Sequence, residues 1–262
     1  MSDLRAQIAA RTAELPTLAD PAGTGDMLAL LRLLYRVGRR DLALGRLFEG
    51  HVDAMQIVNR YGSDDQRARL RDAVDAGAAL GVWNADLPGA PLTAEDTRLS
   101  GGKSFASGAG ILSHALVTVD APGGRQLLLL DLARTPPDID RSVWQVTGMQ
   151  RSETHVVRWR QAAIRPDDRI GLPGDYVRDP WFTGGALRFA AVQAGGVAAL
   201  LDATRDHLAA AGRDADPHQA GRLAELYALA QASAAAVREA GESWFGDEAA
   251  RLPLVAAARA AV

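Results

Sequence analysis

Residues 99–110, LSGGKSFASGAG, lie in a block rich in strand-forming residues, between two helix-rich parts of the sequence. One strand-compatible run precedes the Gly101-Gly102 pair and another follows it, and glycines can adopt the positive φ angles of a tight turn. This pattern predicts a β-hairpin. Small residues at 107–110 end the second run, so that a ligand or another backbone segment can come close to an aromatic side chain and a hydroxyl. Two interpretations follow: a flexible loop after a hairpin, or a strand end that contacts a ligand.

The composition is that of a folded protein of 262 residues, with 48% hydrophobic and 23% charged residues. Because the net charge is -3, the surface lacks the strongly basic character that binding to nucleic acid requires. Cysteine is absent, which excludes disulfides and thiolate ligands and fits a reducing, cytoplasmic compartment. The five histidines are never three or four residues apart, so no metal site is expected.

The N-terminal residues MSDLRAQIAARTAEL carry charges where a signal peptide needs an apolar core. No apolar run approaches the length of about 20 residues that a membrane span requires. We therefore expect a soluble cytoplasmic protein without membrane contact.

Apolar residues recur at helical spacing before and after the strand-rich block. Helices are predicted at residues 3–15, 26–60, 63–76, 184–211 and 218–242, and from 247 onward. Pro16 and Pro21 separate the first two of these, and Ser63 with Gln66 forms the signature of a reciprocal N-terminal cap. The stretch 184–211 is apolar nearly all round, which predicts a buried helix.

That helix includes Leu200 and the Gly195-Gly196 pair, and the two glycines permit a close contact with another helix. Strands are predicted at residues 116–119, 126–132, 143–146 and 154–159. Residues 122–124, PGG, form a predicted turn, and 127–130 is apolar without alternation, which indicates cover on both faces. The order of helices, strands and long helices predicts an α+β fold with a segregated sheet.

Short motifs of known chemistry are missing from the sequence, including a G-x-G-x-x-G turn, a Walker loop, a G-x-S-x-G elbow and an H-E-x-x-H helix. Paired acidic residues occur only in turn or cap contexts, where carboxylates form local hydrogen bonds. Arg213 follows the apolar helix. It is interpreted either as a cation at a helix C-terminus or as a contact for an anion.

Four segments resemble, in order, the acyl-CoA dehydrogenase family of FAD-dependent flavoproteins. They are NRYGSDDQRARLRDAVDAGAALGVW (59–83), LSGGKSFASGAG (99–110), GMQRSETHVVRWRQAAIRPDDRIG (148–171) and ALRFAAVQAGGVAALLDATRDHL (186–208). The second, for example, is similar to the family's L-x-G-x-K-x-(W/F)-I-(T/S). The resemblance implies an α+β fold with an N-terminal helical domain (1–78), a middle antiparallel β-barrel or sandwich domain (79–183) and a C-terminal helical bundle (184–262).

The resemblance also implies a site for FAD. Phe105 and Ser107 match the family's aromatic and hydroxyl residues against the flavin ring, and the backbone of Ala106 and Ser107 matches its polar edge. A hydroxyl donor near flavin N5 stabilises the reduced ring, and an aromatic neighbour shields it from solvent. Trp83 and Asn84 match another flavin-contacting strand end.

Arg213 corresponds to a family arginine that meets the FAD pyrophosphate across a subunit interface. The alanine-rich C-terminal helices have apolar faces on several sides, so a homodimer or homotetramer that covers them is expected. The resemblance further implies an oxidoreductase acting on acyl-CoA in fatty acid metabolism, with an electron-transfer flavoprotein as a further partner. The reaction would be α,β-dehydrogenation of an acyl thioester.

Two departures from the family pattern bear on this function. The sequence WNADLPGAPLT (83–93) stands where the family has T-E-P-x-x-G-S-D, and the family's catalytic carboxylate and Q-x-x-G-G-x-G segment are expected beyond Val262. The chain looks short for the family, and no catalytic base is assigned, since nothing places Glu248 over a flavin. A non-catalytic scaffold or binding protein and a flavin-dependent monooxygenase on the same fold remain as alternatives.

Overall fold

The computed structural model describes residues 4–14 and 20–262, and it has a mixed α+β fold, as predicted. The α-helices are α1 (Leu4–Thr12), α2 (Thr24–Arg40), α3 (Leu42–Tyr61), α4 (Asp64–Asp75), α5 (Trp181–Ala210), α6 (Pro217–Ser243) and α7 (Glu248–Ala260). The strands are β1 (Leu80–Trp83), β2 (Thr93–Glu95), β3 (Arg98–Ala106), β4 (His114–Ala121), β5 (Gly124–Asp131), β6 (Asp138–Asp140), β7 (His155–Ala163) and β8 (Arg169–Ile170). The predicted break at Pro16 lies outside the described residues.

The chain divides into two compact units. The first comprises Met1–Asp20 and Leu47–Arg178 and contains α1, most of α3, α4 and the strands. The second comprises Pro21–Arg46 and Asp179–Val262 and contains α2, α5, α6 and α7. The three domains predicted from the resemblance stay a prediction.

The first unit contains two four-stranded sheets, with strand orders β1-β4-β5-β8 and β2-β3-β7-β6. Neither of these described sheets is closed, so a barrel is not confirmed. The antiparallel prediction is wrong for one pair, because β1 runs parallel to β4, with Leu80 opposite His114. A parallel pair needs a long crossover connection, which residues 84–113 supply. The rings of Trp83 and Trp159, one from each sheet, lie 6.3 Å apart and are buried.

The predicted hairpin at Gly101-Gly102 is wrong, because both glycines lie inside the continuous strand β3. The actual turn lies between β2 and β3. The glycines instead permit the close approach of backbone on both sides. A Cβ at Gly101 would collide with the carbonyl oxygen of Pro91, and one at Gly102 would lie 2.5 Å from that of Val157. Residues 84–92 consequently lie along β3, where the Gly102 amide donates to Ala90 O at 2.9 Å.

The other strand predictions have mixed outcomes. Strands β4, β5 and β7 confirm three of the four predicted runs, and the turn at residues 122–123 joins β4 to β5 as predicted. Residues 143–146 do not form a strand, because β6 pairs with β7 through residues 138–140 instead. The predicted helix at 26–60 is two helices. Asp41 is extended between them, and its Oδ1 accepts a hydrogen bond from Leu44 N at 3.1 Å.

Residues from α3, α4 and the first sheet build the core of the first unit, including Val58, Leu70, Leu116 and Leu127. The predicted capping box at the start of α4 is confirmed in both directions. His51 in α3 is fully buried, and its Nδ1 accepts a hydrogen bond from the first amide of β1, at Leu80, at 3.1 Å. This histidine therefore ties a helix to the start of the sheet.

Close backbone contact between α2 and α5 organises the second unit. A Cβ at Gly195 would collide with the carbonyl oxygen of Tyr35, and one at Gly38 would collide with that of Val192. The predicted role of the glycine pair is thereby confirmed for Gly195. The prediction of a buried helix holds for only part of α5, because Leu187 and Val192 are buried whereas Leu200 is 64% exposed.

Within the described residues, α5 is long and apolar enough by length and composition to cross a membrane. The prediction that no apolar run approaches a membrane span is therefore wrong for this stretch. Half of its most apolar window is buried within the protein, and the core helix of a soluble protein passes the same test.

The contact between α2 and α5 gives a stability prediction. We expect Gly195→Ala to lower the free energy of unfolding by about 2 kcal/mol, because the added methyl group meets backbone that cannot move aside. Gly221→Ala is the matched control, since Gly221 lies in α6 and a Cβ there would have no atom within 4 Å. Gly221→Ala should raise the free energy of unfolding by about 0.5–1 kcal/mol, because alanine has a higher helix propensity than glycine. Urea unfolding of both variants tests this, and equal effects would contradict it.

Candidate functional site

Five of the six predicted site residues lie together where β1 and β3 end. The indole nitrogen of Trp83 donates to Ser107 O at 2.9 Å, which joins the end of β1 to the residue after β3. Asn84 directly follows Trp83, and Phe105 and Ala106 are the last two residues of β3. The structure therefore brings the two predicted strand ends to one place.

Phe105 is an unusual residue in this cluster. Its φ angle is 51°, a left-handed conformation that non-glycine residues rarely adopt, and the residue is 69% exposed. The next residue, Ala106, is fully buried and lies opposite His155 across a register irregularity between β3 and β7. The backbone thus turns a large apolar ring outward at a position where burial would be the ordinary choice. Such strained residues cluster at functional sites.

A chain of hydroxyl groups leads from Ser107 into the protein. Thr154 Oγ1 donates to Ser107 Oγ at 3.1 Å and lies 2.8 Å from Ser152 Oγ, which is 2.7 Å from Met149 O. Thr154 and Ser152 are buried, whereas Ser107 is half-buried. The Ser107 hydroxyl therefore accepts a hydrogen bond from a buried neighbour, and that bond leaves its own proton available for a ligand.

The small residues after Ser107 pack against the backbone before β7. Gly108 N donates to Ser152 O at 2.8 Å, and Ala109 N donates to Glu153 O at 3.1 Å. Of the two roles predicted for these small residues, the close approach of another backbone segment is observed directly. It also holds the Ser152–Thr154 hydroxyls beside Ser107.

Glu153, which lies between Ser152 and Thr154 in sequence, has a carboxylate with a partner in the same part of the fold. Glu153 Oε2 lies 2.9 Å from His155 Nε2 and 3.7 Å from Arg141 Nε. Glu153 also has a left-handed φ of 44°. Both contacts involve the same carboxylate oxygen, Oε2, and they do not identify Glu153 as a base for a reaction.

The network behind Asn84 was missed by sequence reasoning. Lys103 in β3 is completely buried, and its ammonium donates to Asp86 Oδ1, Asn84 O and Thr118 Oγ1 at 2.6, 3.1 and 3.0 Å. Burial lowers the pKa of Lys103, and the Asp86 carboxylate opposes that shift. Asp86 Oδ2 in turn accepts two hydrogen bonds from Arg125, both at 2.7 Å.

Arg213, the sixth predicted residue, lies in the second unit, in the exposed turn between α5 and α6. Its amide donates to Leu208 O at 2.9 Å. The structure thus shows a cation just beyond the C-terminus of α5, and the predicted pyrophosphate contact stays a prediction. In the described part of the chain, no group of three or more His, Asp or Glu side chains is placed to hold a metal ion.

The architecture is that of the acyl-CoA dehydrogenase fold, which flavin-dependent dehydrogenases and monooxygenases share. The chain superposes on a glutaryl-coenzyme A dehydrogenase in complex with glutaryl-CoA with a TM-score of 0.81 and 17% identity, covering 98% of this chain and 72% of that one. It superposes on TdsC from Paenibacillus sp. A11-2, bound to FMN and indole, with a TM-score of 0.71 and 19% identity. The superposition covers 99% of this chain and 81% of TdsC.

In sequence, the chain is similar to dibenzothiophene monooxygenase from Mycolicibacterium goodii, with 24% identity over 251 residues. The match covers 83% of this chain and 60% of that protein. No family model matches the chain. These similarities establish the fold, and they do not by themselves establish the reaction.

Proposed function

We propose that this chain is a flavin-binding oxidoreductase and that its reaction is the monooxygenation of a small aromatic molecule. The sequence similarity to a dibenzothiophene monooxygenase over most of the chain carries this proposal.

The residues at the ends of β1 and β3 fit a flavin ring. Such a ring has apolar faces and a polar edge of carbonyl oxygens and ring nitrogens. The exposed ring of Phe105 matches a face, and the half-buried Ser107 hydroxyl and Asn84 side chain match the edge. A bound flavin would supply the redox chemistry, by accepting hydride or by activating oxygen.

In this proposal each residue has a defined task. Phe105 covers the ring and excludes water. The Ser107 hydroxyl, which accepts a hydrogen bond from Thr154, binds a polar atom at the edge of the flavin ring. The Trp83 indole fixes the backbone of Ser107 through its hydrogen bond to Ser107 O. FAD is the cofactor that the sequence resemblance implies, and FMN is the flavin bound to TdsC, so both belong in the test.

The second candidate is α,β-dehydrogenation of an acyl thioester, which the superposition on glutaryl-CoA dehydrogenase supports. In that case acyl-CoA is the substrate and an electron-transfer flavoprotein a suitable acceptor. A homodimer or homotetramer in the cytoplasm is proposed for either reaction. A scaffold without catalysis is the third outcome of the experiment.

The experiment compares the visible spectrum of the purified protein with and without FAD or FMN. Under the proposal, one flavin binds, and the reduced holoprotein with oxygen converts indole or dibenzothiophene to a product about 16 mass units heavier, the mass of one oxygen atom. Anaerobic bleaching by an acyl-CoA would instead establish dehydrogenation. A protein that binds neither flavin would overturn both enzymatic candidates.

The Phe105 ring gives a prediction for flavin affinity. We expect Phe105→Ala to raise the flavin dissociation constant about tenfold, because the variant loses the aromatic surface that covers the ring. Tyr227→Ala is the matched control, since Tyr227 is 58% exposed in α6 of the other unit. Fluorescence quenching of the titrated flavin measures both constants. Equal flavin affinities for the two variants would show that Phe105 does not contact the flavin.

A further inference from the structure

The buried Lys103 side chain has a matched set of acceptors. An ammonium carries three protons, and Lys103 Nζ lies within 3.1 Å of three oxygens, namely Asp86 Oδ1, Asn84 O and Thr118 Oγ1. Since an ammonium can only donate, the Thr118 hydroxyl must accept from Lys103. The single proton of that hydroxyl is then free for another acceptor.

The Thr118 proton has its nearest acceptor in the Asn84 side chain. Thr118 Oγ1 lies 2.8 Å from Asn84 Oδ1 and 3.3 Å from Asn84 O, and the latter already accepts from Lys103. Thr118 is fully buried in the middle of β4, so its own position is fixed by the sheet. Donation from Thr118 therefore identifies the Asn84 atom facing it as the carbonyl oxygen of the amide.

The NH2 group of Asn84 consequently points away from Thr118. Among the described residues it has no hydrogen-bond partner, and Asn84 is half-buried beside Trp83 at the end of β1. A half-buried amide donor whose carbonyl is held on the inner side is preorganised for an acceptor atom of a ligand.

We propose that Lys103 and Thr118 are positioning residues, which orient the Asn84 side chain so that its NH2 group donates to an acceptor atom at the polar edge of the bound flavin. Only the identity of this ligand rests on the proposed function. The orientation of the amide follows from the proton count of Lys103 and Thr118 together with the short 2.8 Å distance from Thr118 Oγ1 to Asn84 Oδ1.

Thr118→Val tests this relay of hydrogen bonds from Lys103 through Thr118 to Asn84. Valine keeps the shape of threonine but cannot donate to Asn84. The dissociation constants of FMN and FAD should rise about tenfold, which corresponds to the loss of one oriented hydrogen bond. Thr118→Ser should restore affinity to within about twofold, since it keeps the hydroxyl. Thr93→Val is the matched control, as Thr93 is exposed and its hydroxyl donates to Ser100 O in the same unit. Unchanged affinity in Thr118→Val would overturn the relay.

Asn84→Asp provides a second variant that does not depend on how Thr118→Val folds. The carboxylate keeps an oxygen for Thr118 but puts an acceptor where the NH2 group stands. We expect a loss of flavin affinity of about a hundredfold, because the carboxylate oxygen of the variant would face the acceptor atom at the polar edge of the flavin. Wild-type affinity in this variant would overturn donation by Asn84.

A flavin-free measurement separates this inference from the proposed function. A double-mutant cycle combines Thr118→Val with Asn84→Ala and measures urea unfolding of each variant. The unfolding equilibrium constant of the double mutant should differ about threefold to tenfold from the value expected if the two single effects were independent. Additive effects would overturn the Thr118–Asn84 link. If the cycle is coupled and the wild-type protein binds neither flavin, the orientation stands and the proposed ligand falls.

Discussion

Lys103→Met is expected to lower the free energy of unfolding by about 3 kcal/mol, because removing one partner of a buried ion pair leaves the other partners without compensation. Methionine preserves most of the apolar volume of lysine. It would leave Asn84 O and Thr118 Oγ1 without the ammonium proton they accept, and Asp86 with Arg125 alone. Urea unfolding monitored by circular dichroism at neutral pH measures this difference.

The control for this variant is Arg160→Met. Arg160 is also on a strand and also faces an aspartate, but its side chain is 83% exposed and lies 3.6 Å from Asp138. Surface pairs of this kind contribute little to stability, so the urea midpoint should stay near that of the wild type. If both variants unfold at the same midpoint, the buried network does not hold the residues after β1 against β3.

Acidification from above pH 6.5 to about pH 4 is expected to reduce the free energy of unfolding by about 3 kcal/mol through His51 alone. Burial lowers the pKa of His51 from 6.5 to about 4. The unfolded chain binds a proton at this histidine below pH 6.5, whereas the folded protein does not until about pH 4. The stabilisation is therefore complete above pH 6.5 and is lost as the pH falls through this window.

The geometry of His51 explains why it stays neutral. Its Nδ1 accepts from Leu80 N, so the proton of the neutral ring lies on Nε2, which is 3.1 Å from Thr12 Oγ1. Protonation of Nδ1 would place a donor against the Leu80 amide. The pKa of His114 is also lowered by burial and adds a contribution of the same sign.

His51→Gln separates the His51 contribution from those of other titrating groups. The variant should be less stable than the wild type at pH 7, and the difference between the two should shrink as the pH approaches 4. Urea unfolding at closely spaced pH values measures both curves. Parallel curves would mean that His51 does not carry the pH dependence.

Local signals in the sequence were sufficient for those parts of the fold that local contacts decide. The Ser63 and Gln66 capping box and the turn at residues 122–123 each depend on residues within a few positions, and both were confirmed. The glycines at 101 and 102 show the limit of such signals. Their conformational freedom was recognised, but it serves the approach of Pro91 and Val157, which no local pattern reveals.

In the candidate site, too, local sequence patterns identified some residues, whereas others depend on contacts between distant parts of the chain. The resemblance to acyl-CoA dehydrogenases pointed to Phe105 and Asn84, and the structure brings their strand ends together. Lys103 was not singled out, because a lysine within a strand pattern is typical of a solvent-exposed position. Its burial depends on Asp86 and Thr118, which come from different parts of the chain. The pairing of distant residues into one polar network cannot be read from spacing alone.

The contact of Gly38 with α5 has a consequence for protein synthesis. Val192, which Gly38 contacts on α5, lies 192 − 38 = 154 residues further along the chain. At about 5–20 residues per second, the ribosome needs roughly 8–30 s to make that stretch. Throughout this interval α2, whose buried residues include Leu30 and Leu34, lacks the helix that packs against its backbone. A nascent chain therefore exposes the apolar residues of α2 to chaperones until α5 has emerged.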